Sequence, residues 1–462
     1  MADTTIGNVA FLHPLYKKHQ NQVKIVTDIY NGSDSASSYL SQFPQEIEDT
    51  FVDRKNKIAL KNYVKRATEA FVGMIFRKPI DAIGYSENMM KITKRIDTKS
   101  TINQFARRIT EKLIRDGKTY ILVDSLQDGS NPYLISMDRN SVINWSKDEN
   151  GNFTLIVIRE FIEDRISEFE VDTIEQYRVY RDDGNITIYR QSEQEFYEYS
   201  YIETDLDYIP VQELSLDDIP PLYDIARLNI KHMNRTSAKD RYLDMAACPV
   251  PVIWGAEIDD EGSVSSAKPA LVIGVDEAFI FNGTKDECDF QWRELSGSSI
   301  DQLQNDLSVI EEDITSGVIR ASSSENTTMK TATQSYYEAS EASNRVTVIA
   351  NIVEYALNAS LDIMIDMLGE NDSVGGVIIN KDYNAIAGST TDLRLLWEMY
   401  LGGSLSLATL LNSMQQFELI NIGSVDEEIK KIESETFVPK PKEVSSETIK
   451  NTDNNNLNAF DI

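Results

Sequence analysis

Between Ile300 and Ile314 the apolar residues fall at Ile300, Leu303, Leu307, Ile310 and Ile314, in steps of three, four, three and four. That spacing lays one narrow stripe along a helix. Val309 apart, the intervening residues are polar or charged. Such a helix buries little by itself and needs a partner helix along its seam. Ser298 or Ser299 caps its start and Gly317 ends it. The span from Ser298 is then ~28 Å at 1.5 Å per residue. Upstream, Asp217-Asp218-Ile219-Pro220-Pro221 opens another helix, from about Pro221 to Ala246, which Pro249 and Pro251 end. Residues 250–295, with Trp254, Val272, Phe279, Phe281 and Trp292, read as strand-like and rich in loops. The chain leaves on a helix, passes through strands and returns on a helix.

Helical spacing also joins Leu60, Tyr63, Val64, Ala67, Phe71, Met74 and Ile75, with Pro79 as the stop. It recurs in Ile102, Phe105, Ala106, Ile109, Leu113 and Ile114, with Ser100 or Thr101 as cap and Gly117 as the end. Tyr120–Val123 is a short buried strand. Asn150-Gly151 joins strands 141–147 and 153–160, and Asp183-Gly184 joins strands 176–181 and 186–190. Residues 119–202 therefore predict one antiparallel sheet on the two helices, and the fold class is α+β. Gly32 and the serines between Ser33 and Ser41 suggest a loop in a mixed first 50 residues. A long helix over Ala332–Leu368 stops at Gly369, a strand follows at Val377–Ile379, and apolar periodicity resumes over Leu393–Ile422. The tail from Glu433 is polar and reads as mobile.

Composition restricts the chemistry. Asp and Glu total 75 against 45 Lys and Arg, a net charge of −30. Tight nucleic-acid binding needs cations on phosphates, so this balance argues against it. It allows contact with DNA that is not held. The lone pair Cys248 and Cys288 reads as reduced thiols. No secretory signal and no run of 18 apolar residues is expected, hence no membrane. His13, His19 and His232 make no zinc set and no catalytic triad. There is no GxxxxGK[ST] and no GxGxxG opening a helix. Asp148, Asn150 and Asn152 imitate the start of a calcium loop, but Phe153 and Arg159 stand where Gly and Glu are required, so a hairpin turn explains them better. Glu311-Glu312-Asp313 and Asp259-Asp260-Glu261 are carboxylate runs that more often form solvated faces than metal sites. The expectation is no catalytic residue, no cofactor and no metal.

Several segments are distinctive in order and spacing: FVGMIFRKP (Phe71–Pro79), DGKTYILVDS (Asp116–Ser125), NPYLISMDRNSVINWS (Asn131–Ser146) and EQYRVY (Glu175–Tyr180). Further on come the long helix within Lys330–Met364 and LRLLWEMYLGGSLSLATLLNSM (Leu393–Met414), two helices about a small-residue break. From Lys55 to Ile422 the series resembles portal-like proteins of tailed bacteriophages, a family of podovirus type long catalogued as a domain of unknown function.

The resemblance implies a phage portal fold. Its mixed wing would span 1–214, stem helix 1 215–246, the clip 247–296 and stem helix 2 297–316. A tunnel loop at 317–331, a wing continuation at 332–398, a helical crown at 399–432 and a mobile tail at 433–462 would follow. It implies a DNA channel at one capsid vertex, assembled in the host cytoplasm and carried in the virion. The partners would be further copies in a ring of about twelve, a terminase motor, a head–tail adaptor, the major capsid protein or scaffold, and double-stranded DNA passing non-specifically. Arg320, Ser322, Ser323, Asn326 and Lys330 would lie nearest DNA; Asp259, Asp260 and Glu261 would meet motor or adaptor. The seam Ile300–Ile314 would pack on its own stem helix, on a neighbour's, or both. Two rival readings are another virion structural protein, such as a head–tail adaptor, and a carboxylate-dependent nuclease.

Overall fold

Local signals place the first elements. The computed structural model describes residues 8–44, 46–125, 131–192, 195–204, 206–247, 250–254, 289–293, 298–319, 332–370, 375–381, 390–416, 420 and 425–434. By internal packing the chain forms two units, Met1–Lys381 and Asp382–Ile462. In the first, α1 (Pro14–Asn31) starts with proline in its first turn and His13 as its cap, and buries Tyr16, His19, Val23, Val26 and Ile29. The serine-rich run expected as a loop instead forms α2 (Ser33–Ala36) and a tight turn at Ser37–Tyr39. Serine side chains close it on local carbonyls, Ser37 on Asp34 and Ser38 on Ser35. Then come α3 (Glu48–Asn56), α4 (Tyr63–Ile75), β1 (Asp81–Ile83) and α5 (Glu87–Thr93). The helix α6 (Ile102–Asp116) carries a full capping box, Thr101 with Gln104, and ends on Gly117 at φ +75°.

The strands are β2 (Lys118–Asp124), β3 (Tyr133–Met137), β4 (Val142–Lys147), β5 (Phe153–Arg165), β6 (Val171–Arg181), β7 (Asn185–Ser192), β8 (Glu195–Glu203) and β9 (Val211–Ser215). Both dipeptide turns lie between strands as expected. The single sheet does not form: β3-β2-β9 makes one sheet and β4-β5-β6-β7-β8 another. The cause is β9, which occupies the second edge of β2. Alternation along β5 sends Ile156 and Ile158 into a core shared with Tyr120, Leu122 and Met137 of the small sheet. Val157 faces the opposite way, into a core closed by Tyr16, Val9, Ala10 and Leu12. Of the two expected helices it is α6 that lies on the small sheet, where Lys112 Nζ donates to the Ser136 carbonyl at 2.9 Å, while α4 packs on α6.

From there α7 (Tyr223–Ala247) leads to β10 (Val250–Trp254), and β11 (Asp289–Arg293) leads to α8 (Ser298–Ile319). The two strands pair antiparallel, Val250 opposite Arg293 and Trp254 opposite Asp289. Gly317 does not end α8, which runs on to Ile319, because one helical glycine costs only about 1 kcal/mol. Residues 317–319 therefore belong to the helix and not to a loop. The expected long helix spans α9 (Ala332–Leu368) and stops at Gly369, φ +67°. Its stretch 344–368 is long and apolar enough to cross a membrane, but half of it is buried inside the fold. Val346, Ala350, Val353, Leu357, Leu361 and Met364 form that packed face. Next, β12 (Gly376–Ile378) pairs with β1, held by Asn358, whose amide bonds both the N–H and the carbonyl of Val377 at 2.7 and 3.0 Å.

The second unit contains α10 (Thr390–Leu401), α11 (Leu407–Gln416) and α12 (Val425–Ser434). Gly403 at φ +72° closes the first, and Ser406 caps the second by accepting from Thr409 N at 3.1 Å.

Gly117 joins two elements that matter below. Its N–H caps α6 on Leu113, and its carbonyl accepts from Leu216 N at 2.9 Å, just before α7. A Cβ there would stand 2.8 Å from the Asp217 carbonyl oxygen. Replacing Gly117 with Ala should cost about 1–3 kcal/mol through a strained φ and this clash. Urea unfolding monitored by circular dichroism would measure it; an unchanged midpoint would contradict the arrangement.

Candidate functional site

The seam helix finds its partner within the chain. α8 packs antiparallel on α7. Leu307, Ile310 and Ile314 are buried, whereas Ile300 and Leu303 are half-buried. The seam is thus closed at its C-terminal half and open toward the strand pair, where Leu243 is also exposed. Burial of each of the three inner residues contributes about 1.5–3 kcal/mol.

Polar pairs fix the register. His232 Nε2 lies 2.9 Å from Glu311 Oε1, Arg235 Nε lies 2.9 Å from Asp306 Oδ2, and Lys239 Nζ lies 3.1 Å from Gln304 Oε1. Positions 232, 235 and 239 share one face of α7, and their partners descend along α8 as antiparallel packing requires. The Arg235 pair is solvent-exposed on both sides and is worth about 1 kcal/mol or less. Lys61 Nζ also reaches Glu311, at 2.9 Å. Partial burial raises the Glu311 pKa, but hydrogen bonds from Lys61 and His232 outweigh it and hold the carboxyl down at about 2.

The opposite side of α7 is clamped to the first 63 residues. Asn229, fully buried, accepts from Tyr63 N at 2.9 Å and donates to the Lys61 carbonyl at 3.1 Å. Asn234 accepts from Ser41 N at 2.8 Å and donates to the Tyr39 carbonyl at 3.1 Å. Glu46 takes Arg241 at 2.7 Å and a two-pronged contact from Arg54 at 3.0 and 2.7 Å. Arg54 also bonds Ser237 at 2.9 Å and stacks 4.0 Å from the Phe43 ring centroid. Sequence reasoning gave none of these residues a part in such a clamp. The step of three and four between His232, Arg235 and Lys239 was the available signal for the α7 face.

The carboxylate run at 311–313 does not converge: Glu311 faces α7, while Glu312 and Asp313 are exposed. The Asp148 carboxylate accepts from Asn150 N and Asn152 N at 2.9 and 2.7 Å, so it is used by its own hairpin turn. Among the described residues no three His, Cys, Asp or Glu side chains are placed to hold a metal ion. Asp259, Asp260 and Glu261, and the loop residues Arg320, Ser322, Ser323, Asn326 and Lys330, lie outside the described residues.

A family profile described as a domain of unknown function (DUF4055) matches residues 221–368, about a third of the chain, from the start of α7 to the end of α9. No curated protein matches. Among solved structures, the neck of an empty gene transfer agent (GTA) particle computed with C6 symmetry is similar at 11% identity and a TM-score of 0.43, over 83% of this chain and 97% of that one. A chain of the virion of a native gene transfer agent particle gives 11% and 0.43, over 86% and 100%. The neck of the native particle computed with C12 symmetry gives 10% and 0.41, over 75% and 87%. These superpositions are loose.

A depressed pKa makes the Glu311 contribution fully present above its ordinary value of 4.5 and lost as pH falls through about 2. Glu311→Gln should therefore lower the unfolding temperature slightly at neutral pH, and the difference should vanish as pH falls through that window. A difference independent of pH would contradict the ion-pair role.

Proposed function

We propose that this chain is one subunit of a portal ring of a tailed-phage-like particle, forming the DNA channel at one capsid vertex, and that it is a structural protein without catalysis. The observation that carries the reading is the helix pair itself. α7 leaves the first unit, β10 and β11 pair at its far end, and α8 returns along it to residues 320–331 and α9. Two antiparallel helices that lead into and out of a pair of strands follow the stem and clip order implied by the sequence resemblance. The family match covers the same elements.

In this reading the stem is stiff because α7 is held on both sides, by the clamp and by α8. Ring closure uses a head-to-tail contact between neighbouring copies. The net charge of −30 per subunit suits a channel through which DNA passes without being held, since a cationic wall would grip phosphates. Arg320 and Lys330 bracket the small, polar segment proposed to meet the duplex. The residues Asp259, Asp260 and Glu261 are proposed to meet the motor and later the adaptor. Energy for packaging comes from that separate motor.

Gold labelling of a tag on this chain in purified particles should mark one vertex per head. Heads built with residues 322–328 deleted should assemble, yet fail to retain a full-length genome. Label on many vertices, or along the tail, would overturn the portal reading. Full retention with the deletion would remove the loop from DNA contact.

A further inference from the structure

Strands β5 and β6 run well past the sheet that contains them. β4 pairs with β5 only as far as Ile158, and β7 pairs with β6 only from Gln176. Residues 161–165 and 171–175 pair solely with each other among the described residues, to a tip at 166–170. A free two-stranded hairpin is marginal in water. This one exposes Phe161 (64%), Ile166 (65%), Phe169 (89%) and Val171 (48%). Residues 160–175 also hold seven acids against one base, and Asp164 stands directly opposite Asp172 across the ladder. Like charges so placed repel. The arm is thus both apolar and acidic, and nothing among the described residues covers it.

The complementary surface occurs elsewhere in the same unit. Residues 91–108, from α5 into α6, hold six bases against one acid. Lys91, Lys94, Arg95, Lys99, Arg107 and Arg108 are all exposed. Just before them in the chain lies β1, and its ribbon with β12 exposes Ile83 (58%) and Ile378 (51%) on one face. The bias is regional: residues 54–118 carry 17 Lys and Arg against six Asp and Glu, whereas 148–218 carry five against 20. The chain's acidity is therefore strongly polarised within one unit. Both surfaces remain exposed in the single chain, so neither covers the other there.

We propose that the β5–β6 arm of one copy docks on the α5–α6 and β1–β12 face of a second copy, its acids on Lys91, Lys94 and Arg95 and its apolar tip on Ile83 and Ile378. The inference rests on the ring reading and deepens it by naming the two halves of the head-to-tail contact. The two surfaces differ, so each copy offers one of each and the contact propagates around a ring. Opposite charge on the two surfaces also speeds correct encounters, while the like charge of two arms repels arm from arm.

The test is reciprocal charge reversal, read by sedimentation velocity under conditions where the unaltered chain forms rings. Asp164→Lys with Asp172→Lys should reduce ring yield by roughly ten-fold or more. Lys91→Glu, Lys94→Glu and Arg95→Glu together should do the same, and combining both sets should restore rings. Phe169→Ser, at a side chain too exposed to matter for folding, should weaken assembly without moving the melting temperature. Rings indifferent to every set would overturn the docking while leaving the ring reading intact. Rings intact but a short DNA duplex no longer shifted by the patch reversal would assign the basic face to nucleic acid instead. An unaltered chain that never forms rings would overturn both.

Discussion

The fully buried Asn229 amide is the contact on which the rest of the molecule depends. It bridges the N–H of Tyr63 and the carbonyl of Lys61, tying α7 to the start of α4. Leaving either backbone group unpaired in that buried setting would cost about 1–3 kcal/mol, so the bond specifies position as well as adding stability. Asn234, Ser237 and Arg241 extend the same line along α7, each meeting the segment between Tyr39 and Arg54. The direction of α7 then sets that of α8, and the paired strands hang from the ends of both. The opening segment, mixed in sequence, is thus the brace for the projecting helices.

What was legible in the sequence was local. The cap at Ser100 or Thr101, which the fold resolves to Thr101, the left-handed Gly117 and Gly369, and the two Asx-Gly turns each settle their own conformation within a few residues. The limits of α9 follow in the same way. What was not legible came from distant partners. β9 splits the expected sheet by pairing with β2, about ninety residues away in sequence, and nothing in Val211–Ser215 names that neighbour. α1 was hidden because lysines and glutamines between Tyr16 and Ile29 dilute a helical stripe that is nonetheless present. The hairpin strands were expected to stop at Glu160 and start at Gln176, since no turn dipeptide marks the arm beyond them. Of the candidate residues, the seam was readable because it repeats; the clamp was not, because single polar residues acquire meaning only once the fold brings them together.

Energetically the helix pair divides its tasks. The apolar seam supplies most of the stability, and the exposed pairs of Arg235 and Lys239 supply register at small gain. The half-buried Ile300 and Leu303 leave the outer end of the seam incompletely covered. In a ring, the same outer end is where a neighbouring stem would pack, which accommodates both an intramolecular and an intermolecular use of one stripe. In the proposed ring, a subunit that is acidic overall but polarised regionally would satisfy two demands at once: attraction between neighbours and repulsion of passing DNA.

Electron microscopy of the purified chain, with and without scaffold protein, tests the central claim most directly. End-on views should be closed rings with one central hole wide enough for duplex DNA. Single subunits alone, under every assembly condition, would contradict the account.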